Sequence, residues 1–353
     1  MRRRLLTVGS LLVLAPLAAC SSGGSGSADS PHAGQATVRA SRSPGGAGTV
    51  SSPAAVAKGP TTAVAAYAGW RLPFAISREA VVGDPARPGW FVLAGGMLPG
   101  DASSARAIRL DPATGRTDPL PALSTPVHDT AGGLFRGSPA VFGGGNATEQ
   151  SVVQALTGGS WTHAAQLPTT RSDLSVVSAG GSTLVVGGYD GSATPRDVLR
   201  VGADGTLTAV GRLRQGVRYA ATAVAGSHVY VFGGEVDHRE LDAVQELDAT
   251  TGRTRVVARL PEGLGHASAV TVGDRVLLLG GRTGPSTLTD TMWWFDPGHH
   301  TFHRAGRLPA PTSDAAVLAS GDRIWLLGGE SSGVSGRVTG RVIVVRVSSP
   351  SAQ

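Results

Sequence analysis

Between residues 61 and 353 the apolar positions come in short β-rich runs, each closed by two glycines. The six runs are Phe91–Gly96, Ala140–Gly144, Leu184–Gly188, Val229–Gly234, Val276–Gly281 and Ile324–Gly329. Their doublets, Gly95-Gly96, Gly143-Gly144, Gly187-Gly188, Gly233-Gly234, Gly280-Gly281 and Gly328-Gly329, are spaced 48, 44, 46, 47 and 48 residues apart. A sustained period near 47 predicts a solenoid, propeller or array. Each period carries four strand signals; in the fifth they are 266–272, 275–281, 290–296 and 301–308. Asx-turn sequences such as Asp111-Pro112-Ala113-Thr114-Gly115 and Asp248-Ala249-Thr250-Thr251-Gly252 link the third signal to the fourth. Four antiparallel strands with both faces apolar predict a propeller blade packed between two neighbours.

The doublet after the second strand, the acidic turn and the closing Leu-Pro pairs (Leu167-Pro168, Leu260-Pro261, Leu308-Pro309) make residues 61–353 resemble the kelch-repeat family. The units are degenerate: the tryptophan that opens the family's fourth strand survives only as Trp161, and the tyrosine before it is missing. WD40 repeats are a poorer fit, since the Gly-His and Trp-Asp signatures are lacking. Six doublets predict an all-β, six-bladed propeller. After the last doublet only one further strand is apparent, 342–348, while residues 61–73 end in Arg71-Leu72-Pro73, like Arg307-Leu308-Pro309. The N-terminal strand is therefore expected to complete the sixth blade, which removes a sheet edge and shuts the ring.

The doublets read as structural glycines: they end strands near the crowded axis and permit positive φ in the following loop. No helical pattern follows any of them, so a dinucleotide-binding loop is excluded. Candidate chemistry lies where the first strand starts and the second ends, on one face. Fourteen residues before each doublet stand Asp129, Asp173, Tyr219, His266 and Asp314, with Glu79 in the first blade after a two-residue insertion. Residues past the doublets, Met97, Asn146, Asp190, Glu235, Arg282 and Glu330, form a wider collar. Six loops converging on one concavity make a default ligand site. The acids sit on separate blades, too far apart to share a Ca²⁺, so neither a metal nor any other cofactor is expected. The run His299-His300-Thr301-Phe302-His303 falls on a turn at the opposite face, and Trp293-Trp294 suits packing.

The N-terminus carries a different signal. Met1-Arg2-Arg3-Arg4, an apolar run from Leu5 to Leu17 and the ending Leu17-Ala18-Ala19-Cys20 resemble a bacterial lipoprotein signal. The resemblance implies removal of residues 1–19 and lipidation of Cys20, the sole cysteine, giving an extracytoplasmic protein anchored to the cell membrane. Residues 20–60, rich in Ser, Gly, Ala and Pro, read as a flexible tether with a span of roughly 35 Å. One cysteine also excludes a disulfide framework and a Cys-based zinc cluster.

The net charge of +6 does not describe the propeller. Setting aside Arg2, Arg3, Arg4, Arg39, Arg42, Lys58 and Asp29 leaves 25 basic and 24 acidic residues, so a nucleic-acid partner is not expected. Only Lys58 among the basic residues is lysine, which fits a GC-rich, actinobacterial genome better than a phosphate-binding surface. The expected function is a monomeric, membrane-anchored binding module for an envelope protein, peptide or glycan. The alternative is a carbohydrate-active propeller such as a sialic acid mutarotase, using Glu235, Glu330 and Arg282. Copper chemistry of the galactose oxidase kind is disfavoured, because no cysteine lies in the propeller.

Overall fold

The computed structural model describes residues 62–333 and 337–348. The signal, Cys20 and tether readings therefore fall outside the described residues. Six four-stranded antiparallel sheets make up the fold, and among the described residues there is no helix. Blade two illustrates the plan, with strands Ala131–Phe135, Ser138–Phe142, Val152–Thr157 and Ser160–Gln166 in sequence order. The first strands touch one another in a closed cycle, blade one meeting both two and six, so they line the axis.

Blade six draws its strands from both ends of the chain. Ala316–Ser320, Arg323–Leu327 and Thr339–Ser348 supply the inner three, and Thr62–Ile76 pairs antiparallel outside them, with Thr62 opposite Ser348 and Tyr67 opposite Ile343. The closure expected from the repeated Arg-Leu-Pro is the observed one. The pairing satisfies an otherwise open edge, and Leu72 of this strand is buried in the core between blades six and one.

The core is divided into six apolar layers, one per blade interface. Between blades four and five, for example, Tyr230, Phe232 and Val244 pack on Val276, Leu278 and Phe295. This division explains why the strands read as apolar on both faces: each sheet buries one face against each neighbour. Leu167, Leu260 and Leu308 of the Leu-Pro pairs are buried, and Trp161 packs in the layer between blades one and two. Trp294 is buried, and Trp293 packs at the edge of the layer between blades four and five.

All twelve doublet glycines have positive φ. Backbone carbonyls crowd the first glycine of each pair, and side chains also crowd the second, as at Gly96 against Glu79 and Ile76 and at Gly281 against Ala267. The second glycine of each pair donates its N–H to a carbonyl in the segment leading into the next blade: Gly96 to Val127, Gly144 to Arg171, Gly188 to Val217, Gly234 to Leu264, Gly281 to Thr312 and Gly329 to Ile76. A Cβ on the first glycine would strike that same oxygen, at 2.2 Å for Gly280 and Gly328. The doublets thus fasten each blade to the segment that leads into the next, and the last of them holds Ile76, where the N-terminal strand that closes the ring ends.

Candidate functional site

One residue per blade stands at the start of the innermost strand: Arg78, Asp129, Asp173, Tyr219, His266 and Asp314. All six adopt left-handed backbone, with φ between 50° and 57°. Such conformations are uncommon for side chains as large as Arg, Tyr and His and are held by their surroundings. Here a ring of backbone bonds holds them. Asp173 N–H donates to Asp129 O (2.8 Å), Tyr219 to Asp173 (3.1 Å), His266 to Tyr219 (2.9 Å), Asp314 to His266 (3.0 Å) and Arg78 to Asp314 (2.9 Å). The sixth junction is looser, with Thr130 N–H 3.5 Å from Arg78 O. These residues line a cavity of about 140 Å³ at the mouth of the channel.

Arg78 takes the place expected for Glu79. The hairpin of blade one is three residues longer than the others, not two, so the ring position falls one residue earlier. Its guanidinium reaches Asp129 at 3.3 Å, Glu330 at 3.0 Å and Asp314 at 3.5 Å. It also donates at 3.4 Å to the hydroxyl of Tyr219, which stands three blades away on the far side of the ring. Burial opposes its charge, but Asp314 and Asp129 keep it protonated. Arg78 therefore ties blades one, two, four and six together at the mouth.

His266 links two further blades. Its Nδ1 lies 2.6 Å from Asp314 and its Nε2 3.3 Å from Glu235, and its ring stacks on Tyr219 at 3.8 Å between centroids. Burial works against the imidazolium, yet Asp314 and Glu235 raise its pKa above the ordinary histidine value. Asp314 is buried as well, and His266, Arg78 and Arg282 hold it well below the carboxylate range. Burial and then Asp314 push Glu330 up, because Arg78 and Arg282 are both shared between the two acids. Burial and the neighbouring Asp129 likewise raise Asp173, against the pull of Arg218 at 2.9 Å.

The collar is only partly as expected. Glu235, Arg282 and Glu330 join the mouth network, and buried Met97 pairs by backbone with Ser77. Asn146 and Asp190 do not, because the equivalent positions are Gly145 and Tyr189, one residue earlier. Asp190 instead accepts the N–H groups of Ser192 and Ala193 within its own loop, and Asn146 bonds to Pro126 O. Tyr189 carries the guanidinium of Arg218 over its ring at 4.7 Å, and Arg218 also donates to the Tyr219 hydroxyl at 3.1 Å. His128 lies 3.4 Å from Asp129. Arg78, Arg218, Tyr189 and His128 were not singled out from the sequence; for Arg218 and His128 the signal was their place immediately before a ring residue, for Tyr189 its place after a doublet, and Arg78 was displaced by the longer hairpin.

Residues 264–309, spanning the fifth unit, match the Kelch motif. The match covers one of the six blades of the closed ring. The chain is a six-bladed β-propeller with a Kelch motif in its fifth blade. No curated protein matches it.

The mouth of this propeller has more acid than base. Glu79, Asp129, Asp173, Glu235, Asp314 and Glu330 face Arg78, Arg218, Arg282 and the imidazolium of His266, each already within 3.5 Å of a carboxylate. Among the described residues no three His, Cys, Asp or Glu side chains are grouped so as to hold a metal ion. Glu79 lies one step below the ring and lines both the mouth cavity and the channel beneath it. It is 5% exposed, and neither carboxyl oxygen has a hydrogen-bond partner. On the opposite face His299 pairs with Asp296 and His300 with Glu246, while His303 is exposed.

Proposed function

We propose that this kelch propeller is a protein-binding module, held at the extracytoplasmic face of the cell membrane by lipid on Cys20, and that the partner engages the mouth. Kelch propellers are commonly protein-interaction modules, which sets the class. The observation that carries the choice of surface is the ring of strained residues. Six left-handed positions are held by neighbours from every blade and present polar groups to one cavity. Strain of this kind gathers at binding sites, because a fold needing only stability would relieve it with glycine. The acid excess favours a partner segment carrying basic or hydrogen-bond-donating groups. It also disfavours an anionic sugar, since Arg78, Arg218 and Arg282 are already engaged by carboxylates. The membrane part of the proposal rests on the Leu17-Ala18-Ala19-Cys20 sequence.

The test uses the full-length protein in its own envelope. Cross-linked partners are captured with wild type, with an Asp173→Asn/Glu235→Gln/Arg282→Gln variant, and with an opposite-face Asp248→Asn/Arg255→Gln variant. The expected outcome is loss of the partner with the first variant and retention with the second. Retention by both, with the fold intact by circular dichroism, removes the mouth from the proposal. Cys20→Ser is expected to move the protein from the membrane to the soluble fraction, and persistence in the membrane contradicts the anchor.

A further inference from the structure

Glu79 is the one mouth carboxyl group that the network leaves aside. Its side chain is buried, both oxygens lack partners, and it borders the 140 Å³ mouth cavity and the 290 Å³ channel below. Arg78 beside it directs its guanidinium to Asp129, Asp314, Glu330 and Tyr219. The groups at the same level on the other blades are Thr130, Leu174, Ala220, Ala267 and Ala315, so four of the five walls are apolar. An unpaired carboxyl group at the end of an apolar sleeve, under an acid-rich mouth, is complementary to a cation on a hydrocarbon stem.

The mouth cavity of about 140 Å³ and the channel of about 290 Å³ below it leave room for a butylammonium group. Metal ions are disfavoured, since no triad of ligating side chains is grouped among the described residues. We infer that the channel beneath the mouth is a socket for a lysine side chain of the partner, its ammonium paired with Glu79 and its methylenes against Leu174, Ala220, Ala267 and Ala315. This rests on the binding-module reading and gives it a ligand chemistry.

The charged and titratable groups around Glu79 are Arg78 from its own blade and Asp129, Asp173, Tyr219, His266 and Asp314 from the other five. Burial, reinforced by Asp314, pushes Glu79 up to about 8. At neutral pH it is mostly protonated, so arrival of an ammonium group expels that proton.

The decisive experiment is calorimetry on the full chain at pH 7, in two buffers of different ionisation heat. The probe is Nα-acetyl-lysine N-methylamide, with acetyl-norleucine N-methylamide as neutral control and glucosamine as the alternative amine. The lysine probe is expected to bind with release of about 0.9 proton, the protonated fraction of a group near 8. Binding should tighten about tenfold from pH 6 to 7, and the norleucine and glucosamine probes should not bind. Glu79→Gln is expected to abolish the proton release and weaken binding at least tenfold. Binding without proton release, an unchanged Glu79→Gln, preference for glucosamine, or no binding of the lysine probe each overturns the inference. If Glu79→Gln does not fold, the proton count on wild type decides alone. Should the lysine probe fail while the mouth variant above still loses its partner, the socket falls and the binding module stands.

Discussion

Gly321 and Gly328 share blade six and a φ of 62°, which makes them a matched pair for the latch on Ile76. Alanine at either position adopts left-handed backbone, at about 1–2 kcal/mol. At Gly321 a Cβ meets nothing within 4 Å, so that is the whole effect. At Gly328 the Cβ lies 2.2 Å from the carbonyl oxygen of Ile76, a separation real Cβ atoms essentially never show. The end of the strand Thr62–Ile76 must recede, breaking the 2.8 Å bond from Gly329 N–H to Ile76 O and leaving a buried donor and acceptor unpaired. Each unpaired group costs about 1–3 kcal/mol, so with the backbone strain Gly328→Ala is expected to lose about 3–8 kcal/mol. Urea unfolding followed by tryptophan fluorescence measures both variants. Equal losses would refute the latch, because the two positions share their backbone strain and differ only in the contact with Ile76.

Other expectations follow from the same geometry. Leu72→Ala, in the N-terminal strand of blade six, should lower unfolding stability by about 2–4 kcal/mol, and a negligible loss would mean that this strand does not bind the ring shut. Arg78→Met leaves Asp129, Asp314 and Glu330 short of a cation and should cost about 3–5 kcal/mol at pH 7, with the deficit shrinking as acid protonates them. A deficit unchanged in acid would count against the charge network. Glu79 has a folded pKa raised to about 8, so the native state holds a proton that the unfolded chain releases near pH 4.5, and wild type loses stability as pH rises between those values. Glu79→Gln should therefore match wild type below pH 4.5 and exceed it by a growing margin up to pH 8. A flat difference in chemical denaturation would show that Glu79 ionises normally.

The fold was legible because it repeats. Doublets at near-constant spacing gave the blade count, and a recurring Arg-Leu-Pro tied residues 62–76 to the last blade. The site was legible wherever the fourteen-residue interval held, which placed Asp129, Asp173, Tyr219, His266 and Asp314 in one ring. It failed in blade one, where a longer hairpin hid Arg78 behind Glu79. It failed by one residue at Asn146 and Asp190, because Gly145 and Tyr189 are not polar enough to draw notice as a collar. Arg78 and Arg218 were obscure for another reason: in a chain whose basic residues are almost all arginine, only tertiary pairing separates a mouth arginine from a surface one.

The central claim is that partners bind at the mouth, and site-specific photo-cross-linking tests it most directly. His238 stands 90% exposed on a mouth hairpin beside Glu235, and His299 stands 81% exposed on an opposite-face turn. With a photoreactive residue at either position of the full-length protein in its native envelope, the partner should cross-link from 238 and not from 299. Capture from 299 alone would contradict the claim.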